Sequence, residues 1–343
     1  MKSPKRPTIH DIARKLNIAA SSVSRALNNS SKVSAATKEL ILKTAKELNY
    51  KQNYLASNLR KGQNQTIGIV VPRINQNFFS NVIAGLEEVT YKNGYNLIIC
   101  QSNELHEREV QCVETLISQH VSCIVISISA EHNNSDHLKN ALSQGIQLIQ
   151  FDRVAQELET YKVINDNEQG AFDAVLHLIN QGYHRIALLE GPQNLAIFRQ
   201  RKAGYLQALE QSQILVDDKL IIKNAWTKEL GAKATRKLLS INNPPDAIFA
   251  STSDFSALGV LEVATQMGFK VPDALGICGY SNEAFSEITT PSITTVDQYS
   301  KKMGKAIADL YFQEIKEALD SNVYKTVSIK PKLIIRSSTL QKT

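Results

Sequence analysis

Residues 8–29 read TIHDIARKLNIAASSVSRALNN. Thr8 can cap a helix, and Asp11 three residues later favours its positive end. Ile12, Ala13 and Leu16 mark one apolar face, and Asn17 suits the turn that closes the helix. A second short helix is expected over about residues 20–28, with Val23, Ala26 and Leu27 inward. A third follows Ser34 to about Leu48, with Leu40, Ile41, Ala45 and Leu48 inward. Three short helices, the first two joined by a tight turn, form a helix-turn-helix unit. The outer face of the second carries Ser21, Ser22, Ser24 and Arg25. Short hydroxyls let a helix lie close to a duplex, and an arginine can bond guanine bidentately.

Charge agrees with that reading. The chain of 343 residues has a net charge of +6, unevenly spread. Residues 1–61 hold 13 Lys and Arg against three acids (Asp11, Glu39 and Glu47), a net of +10. The remaining 282 residues hold 26 basic and 30 acidic ones, a net of −4. A basic module on a mildly acidic body implies a nucleic-acid partner for the first part only; the competing use of such a topology is a protein–protein module.

From Thr66 the pattern changes. TIGIVVP, NLIICQS, SCIVISIS, IQLIQFD, RIALLEG, DAIFAST and GICGYS are short apolar runs separated by amphipathic stretches. Such alternation describes parallel sheets covered on both faces. About 275 residues exceed one comfortable sheet, so two doubly wound α/β lobes with a ligand cleft between them are expected. Asp152 and Asp254 fall at strand carboxyl ends, where such sheets bind ligands. No GxGxxG or GxxxxGK[ST] follows a strand, GYSNE is not GxSxG, and the seven histidines lack HExxH spacing. Binding is therefore favoured over catalysis, and no cofactor or metal is expected. Cysteines 100, 112, 123 and 278 are scattered. With no apolar leader and no apolar run near the roughly 18 residues of a membrane span, a cytoplasmic protein with no membrane partner is expected.

The string DIARKLNIAASSVSRALNN resembles the DNA-binding headpiece of the LacI/GalR family of bacterial transcription regulators, with its D-I-A, V-S-R and L-N elements. The resemblance implies that Ala20, Ser21 and Arg25 read bases and that Ser22 and Ser24 face phosphates. Thr8, Asn28 and Tyr50 complete the candidate DNA-contact set. One departure is Ala19, where the family usually places Ser or Thr; it removes a cap worth about 1 kcal/mol. VINDNEQGAFDAVLHLINQGYHRIALLEGP, ICGYSNEAF, PSITTVDQ and KPKLIIRSST are similar to segments of the family's core, which looks like a periplasmic sugar-binding protein.

By that resemblance the headpiece spans 1–52 and a hinge helix and linker span 53–65. The core spans 66–343, with one lobe near 66–162 and 294–325 and the other near 163–293 and 326–340. In the hinge, within YLASNLRKG, Leu59 matches the family's minor-groove wedge and Arg60 sits among phosphates. The helix is expected to form only on DNA, with its twin. Candidate effector contacts are Asn77, Phe78 and Phe79 in a loop after the first strand, with Asp152, Arg199, Arg201, Trp226, Asp254 and Ser281. Phe78 or Phe79 as core, Asp254 as a helix cap and Trp226 as lobe packing are the structural alternatives. Members that bind neutral sugars often carry Asp where Ser281 stands. A serine near Arg201, Arg199 and Arg153 shifts the expectation towards a sugar acid or sugar phosphate.

The function implied is that of a homodimeric, effector-controlled regulator on near-palindromic double-stranded DNA, a repressor of carbohydrate-utilisation genes. No heptad run precedes Thr343, so a coiled-coil tetramer is not expected. The alternatives are a transport-type sugar-binding protein and a sugar-metabolising enzyme.

Overall fold

The computed structural model describes residues 7–27, 30–50, 65–316 and 324–339, and its contacts divide the chain into two compact units, 1–64 and 65–343. In the first unit, helix α1 (Ile9–Leu16) opens where the Thr8 N–H and hydroxyl both donate to the Asp11 carboxylate, at 2.8 and 2.7 Å. It closes on Asn17 in the left-handed region, φ 52°. Helices α2 (Ala20–Leu27) and α3 (Ala35–Glu47) complete the unit, and the Ser34 hydroxyl accepts the Thr37 N–H at 3.2 Å to start α3. Ile12, Val23, Ala26, Ile41 and Ala45 form the core. Leu40, expected inward, is 51% exposed; Ile41, Thr44 and Ala45 hold the buried face at helical spacing and leave it outside. The hinge span, with Leu59 and Arg60, lies outside the described residues, as does Asn28.

The second unit contains two six-stranded sheets among its described residues. In chain order the first sheet takes β1 (Thr66–Val71), β2 (Asn96–Gln101), β3 (Cys123–Ile126), β4 (Gln147–Phe151) and β5 (Tyr161–Asn165). The second takes β6 (Ile186–Leu189), β7 (Ile221–Ile222), β8 (Ala247–Ala250), β9 (Gly276–Tyr280) and β10 (Thr294–Asp297). Then β11 (Thr326–Ile329) returns to the first sheet and β12 (Lys332–Ile334) to the second. The orders are β11-β5-β4-β3-β1-β2 and β12-β10-β9-β8-β6-β7, parallel except for β10 with β12. Both faces of each sheet carry helices over apolar clusters, the doubly wound arrangement expected.

Strand pairing redraws the expected lobe boundaries. Thr294–Asp297 pairs with β9 in the second sheet, although the resemblance places 294–325 in the first lobe. Thr326–Ile329 pairs with β5 in the first sheet, although the resemblance places 326–340 in the second. The chain thus crosses after β5, after β10 and after β11. Asn165 ties the crossings together: its Nδ2 donates to the Gln298 and Ile329 carbonyls at 3.0 and 3.2 Å. Helix Ser300–Leu310 packs on the first lobe because Gly85 and Gly304 admit it. A Cβ on either would sit within about 2 Å of a backbone carbonyl of the opposite helix.

Candidate functional site

In the headpiece, α2 turns Val23 and Ala26 inward and leaves Ser21 and Arg25 exposed, with Ala20, Ser22 and Ser24 half-buried. The Ala19 carbonyl accepts the Ser22 and Val23 N–H groups at 2.9 and 3.3 Å, so the helix begins without a side-chain oxygen from residue 19. Thr8 is engaged with Asp11, and Tyr50 packs half-buried against the headpiece core.

In the core, buried polar groups collect at the carboxyl ends of strands. Ser102 and Glu104 follow β2, Ser127 and Ser129 follow β3, and Asp152 and Arg153 follow β4. Among the described residues the hydroxyls of all three serines, Glu104 Oε1, Asp152 Oδ1 and Arg153 Nε are buried without a hydrogen-bond partner. Buried polar atoms are nearly always bonded, so this concentration marks a surface built for something other than the fold. Asp152 sits in the left-handed region, φ 55°. Burial pushes its carboxyl up, against the pull of Arg153 and Arg201. Arg153 Nη1 donates to Glu104 Oε2 at 2.6 Å, and its guanidinium lies 5.7 Å from the centre of the Phe79 ring.

From the second lobe comes Arg201, buried on helix Ala196–Gln211. Its Nε donates to Asn167 Oδ1 at 2.9 Å and its Nη1 to the Ser251 carbonyl at 2.8 Å, while the guanidinium stacks 3.7 Å above Tyr280. Gly204 allows this: a Cβ there would fall 2.1 Å from the Glu168 carbonyl, so only glycine lets the two helices approach this closely. Burial lowers the Arg201 pKa, and Tyr280 and Asp152 oppose that. Ser281, beyond Tyr280, has φ 103° and a buried hydroxyl with no partner among the described residues. The lobes meet beside these groups. Leu195, Ile197 and Phe198 bury into a cluster of the first lobe, and Asn194 Nδ2 donates to the Ala130 carbonyl at 2.7 Å. The Asn77 N–H donates to the Glu283 carboxyl, which burial pushes up to about 7.

Several expectations change. Asn77, Phe78 and Phe79 form the first turn of helix Asn77–Lys92 instead of a loop. Both rings are buried in the first-lobe cluster, edge to face at 5.1 Å, because Val82 and Leu86 continue the same helical stripe. Asp254 is fully buried, and its carboxyl accepts the Glu283 N–H at 2.7 Å and the Thr295 hydroxyl at 2.6 Å. Arg199 lies two residues from Arg201, about 200° round the helix. It is exposed and donates to the Gln193 and Asn194 carbonyls of its own loop. Trp226 is half-buried between β7 and helix Lys228–Leu239. All three arginines that suggested an acidic effector are therefore engaged: Arg199 by its loop, Arg153 by Glu104, and Arg201 by Asn167 and the Ser251 carbonyl. Ser102, Glu104, Ser127 and Ser129 do not stand out in the sequence, although each is a polar residue within a few positions of a strand's end.

A helix-turn-helix module joined in one chain to a two-lobed binding core defines a ligand-responsive DNA-binding regulator. Residues 8–53 match the family model "Bacterial regulatory proteins, lacI family", and residues 175–339 match "Periplasmic binding protein-like domain". The chain belongs to the lacI family. It is 32% identical over 333 residues to the HTH-type transcriptional repressor CytR of Escherichia coli K12, covering 97% of this chain and 96% of that relative. A CelR–cellobiose complex aligns with a TM-score of 0.73 at 26% identity, covering 97% of this chain and all of that one. The lac repressor dimer bound to operator and the anti-inducer ONPF aligns with a TM-score of 0.84, covering 98% of this chain and all of that one; at 24% identity it bears on the fold alone. No helix among the described residues is long and apolar enough to cross a membrane.

Proposed function

We propose that the protein is a cytoplasmic transcriptional repressor that binds a near-palindromic operator as a homodimer and takes a neutral, hydroxyl-rich carbohydrate between its core lobes. The observation that carries the ligand assignment is the lining: acceptors on Glu104 and Asp152, a donor on Arg153 that pairs with Asp152 only at 3.9 Å, and hydroxyls on Ser102, Ser127, Ser129 and Ser281, all buried and without a hydrogen-bond partner among the described residues. Alternating donors and acceptors suit a polyol, whose every hydroxyl is both; an anion would need donors in excess. Similarity to a cellobiose-bound regulator supports the same chemistry. The DNA assignment is supported by the family and by the exposed Ser21 and Arg25 on α2. This is a binding protein rather than an enzyme, and a transport role leaves the headpiece without a use.

The test uses the full chain. DNA selected from a random pool should yield a near-palindrome whose affinity falls steeply with salt, by a log–log slope of roughly 0.9 per phosphate contact. Arg25→Ala should weaken that site about 10–100-fold and relax one base position. Calorimetry with matched neutral and acidic sugars should show binding of a neutral one. Tight binding of only the acidic form would overturn the ligand assignment and leave the DNA assignment standing.

A further inference from the structure

Beside the cleft-lining Ser129, whose N–H bonds Glu109, three histidines converge on that one carboxylate. His106 and Glu109 lie three residues apart in the opening turns of helix His106–Ser118, so they share a face. His132 comes from the loop after β3, and His137 from the first turn of helix Asp136–Ser143. Glu109 is fully buried, and its Oε1 lies 2.7 Å from His132 Nδ1 and 3.0 Å from His137 Nε2, while its Oε2 accepts the Ser129 N–H. The three imidazole rings surround it edge to face, with centroids 5.4 to 5.8 Å apart.

Part of the cluster is bonded outward, with His132 Nε2 3.1 Å from the Ser135 hydroxyl and His106 Nε2 3.3 Å from Asn134 Nδ2. Two hydrogen bonds from imidazoles and one from the backbone already satisfy Glu109. His106 stands beyond them with its Nδ1 buried and without a partner among the described residues, and His137 Nδ1 is in the same condition. One ligand atom each from His106, Glu109 and His132 lie within 4.8 Å of one another. A tetrahedral zinc ion holds its nitrogen and oxygen ligands about 3.3 Å apart, so small side-chain rotations would bring the three into its shell. Imidazole nitrogen and carboxylate oxygen are both ordinary zinc ligands.

We propose that His106, Glu109 and His132 form a binding site for a divalent transition-metal ion of the zinc class, with His137 orienting the Glu109 carboxylate. Imidazole and carboxylate together select such ions over magnesium or calcium, which prefer all-oxygen shells. The site's position gives it a consequence. The His132 loop also carries Ala130, whose N–H donates to Glu104 Oε2 at 2.9 Å and whose carbonyl accepts from Asn194 of the second lobe at 2.7 Å. An ion on His132 anchors the segment that bridges a cleft-lining glutamate and the opposite lobe.

Cobalt(II) titration of the chelator-treated full chain tests the site, because cobalt(II) reports its ligands by absorption. The nearby Cys100 and Cys112 thiols hydrogen-bond each other and are the competing soft site, so the C100S/C112S background is measured in parallel. The expected result is one equivalent of cobalt per chain in both backgrounds, with visible d–d bands, no sulfur-to-cobalt charge-transfer band, and displacement by zinc. His106→Ala and His132→Ala should each weaken binding by tenfold or more, and His137→Ala by roughly 10–100-fold as an outer partner. Metal-free circular dichroism of each variant should match the parent. Absence of saturable binding, binding that survives in the H106A/H132A double variant, or a charge-transfer band that vanishes with the cysteines would each overturn the proposal.

Discussion

The two lobes share a fold and differ at their strand ends. In the first lobe, the groups after β2, β3 and β4 are buried and largely unbonded: Ser102, Glu104 Oε1, Ser127, Ser129, Asp152 Oδ1 and Arg153 Nε. In the second, the charged groups are mostly committed to the protein. Arg201 holds the Ser251 carbonyl, Asn167 and the face of Tyr280, and Asp254 holds the Glu283 N–H and Thr295. Ser281 and Glu190 carry its unbonded oxygens among the described residues, and Lys202 Nζ lies 3.1 Å from Glu190. The same position on the same topology can therefore serve structure in one lobe and recognition in the other. Strand-end placement identifies a candidate, and the bonding of each atom decides its use.

The largest effect is expected at Asp152. If the first lobe supplies recognition, Asp152→Ala removes a buried acceptor with one open oxygen. The affinity for the neutral carbohydrate bound by the wild type should fall about 100-fold, since a hydrogen bond to a charged group contributes ~1.5–3 kcal/mol. Calorimetry measures it. A change within about twofold would mean that the open atoms of the first lobe are not where the ligand binds.

How much of this was legible follows from the range of the signals. The three headpiece helices are readable because each is short and amphipathic. Leu40 departs from its expected place because a 13-residue helix against two short ones buries a narrower stripe than its apolar content suggests. In the core, apolar runs reveal seven strands. They miss β5, β7, β10, β11 and β12, which are short or interleaved with polar residues such as Lys162 and Thr295. The lobe boundaries near 294 and 326 come from the resemblance instead, and the pairing of β10 with β9 and of β11 with β5 moves them. Arg201 is named through the family resemblance, whereas the partnership of Glu104 with Arg153 spans 49 residues and has no local trace. The His106, Glu109, His132 and His137 cluster is invisible for the same reason, since three separate elements deliver its members.

A smaller effect is expected at Asp254, in the second lobe. Burial pushes Asp254 up to about 7, although bonds from Thr295 and Glu283 pull it down. Its folded pKa is thus above the ordinary carboxylate value. Below about pH 4 both states hold the proton and nothing is lost. Between about pH 4 and 7 the unfolded chain releases it first, so stability falls with rising pH and levels off above 7. An asparagine could accept the Glu283 N–H on its carbonyl oxygen, donate its amide N–H to the Thr295 hydroxyl oxygen, and not ionise. Asp254→Asn should therefore gain roughly 1–3 kcal/mol over wild type at pH 8, several degrees in melting temperature, and little or nothing at pH 4.5. Carbohydrate affinity should be unaffected. A melting difference independent of pH would show that Asp254 is not the buried titrating group the lobe contains.

The smallest expected effect is at Arg199, and it bears on the ligand's charge. The residue shares a helix with Arg201, yet two positions round a 3.6-residue turn place them on nearly opposite sides. Arg201 enters the buried network, while Arg199 donates at 2.6 and 2.9 Å to carbonyls of the loop before its own helix, in contact with solvent. Exposed charge-assisted bonds of this kind contribute about 1 kcal/mol or less. Arg199→Ala should accordingly lower the melting temperature by no more than a few degrees and leave carbohydrate affinity within about twofold. A selective loss of binding to an acidic sugar, with the neutral one unchanged, would place Arg199 back over the ligand. It would also mean that the loop exchanges its carbonyl bonds for an anion when the lobes close, making the second lobe an active partner in recognition instead of a fixed wall.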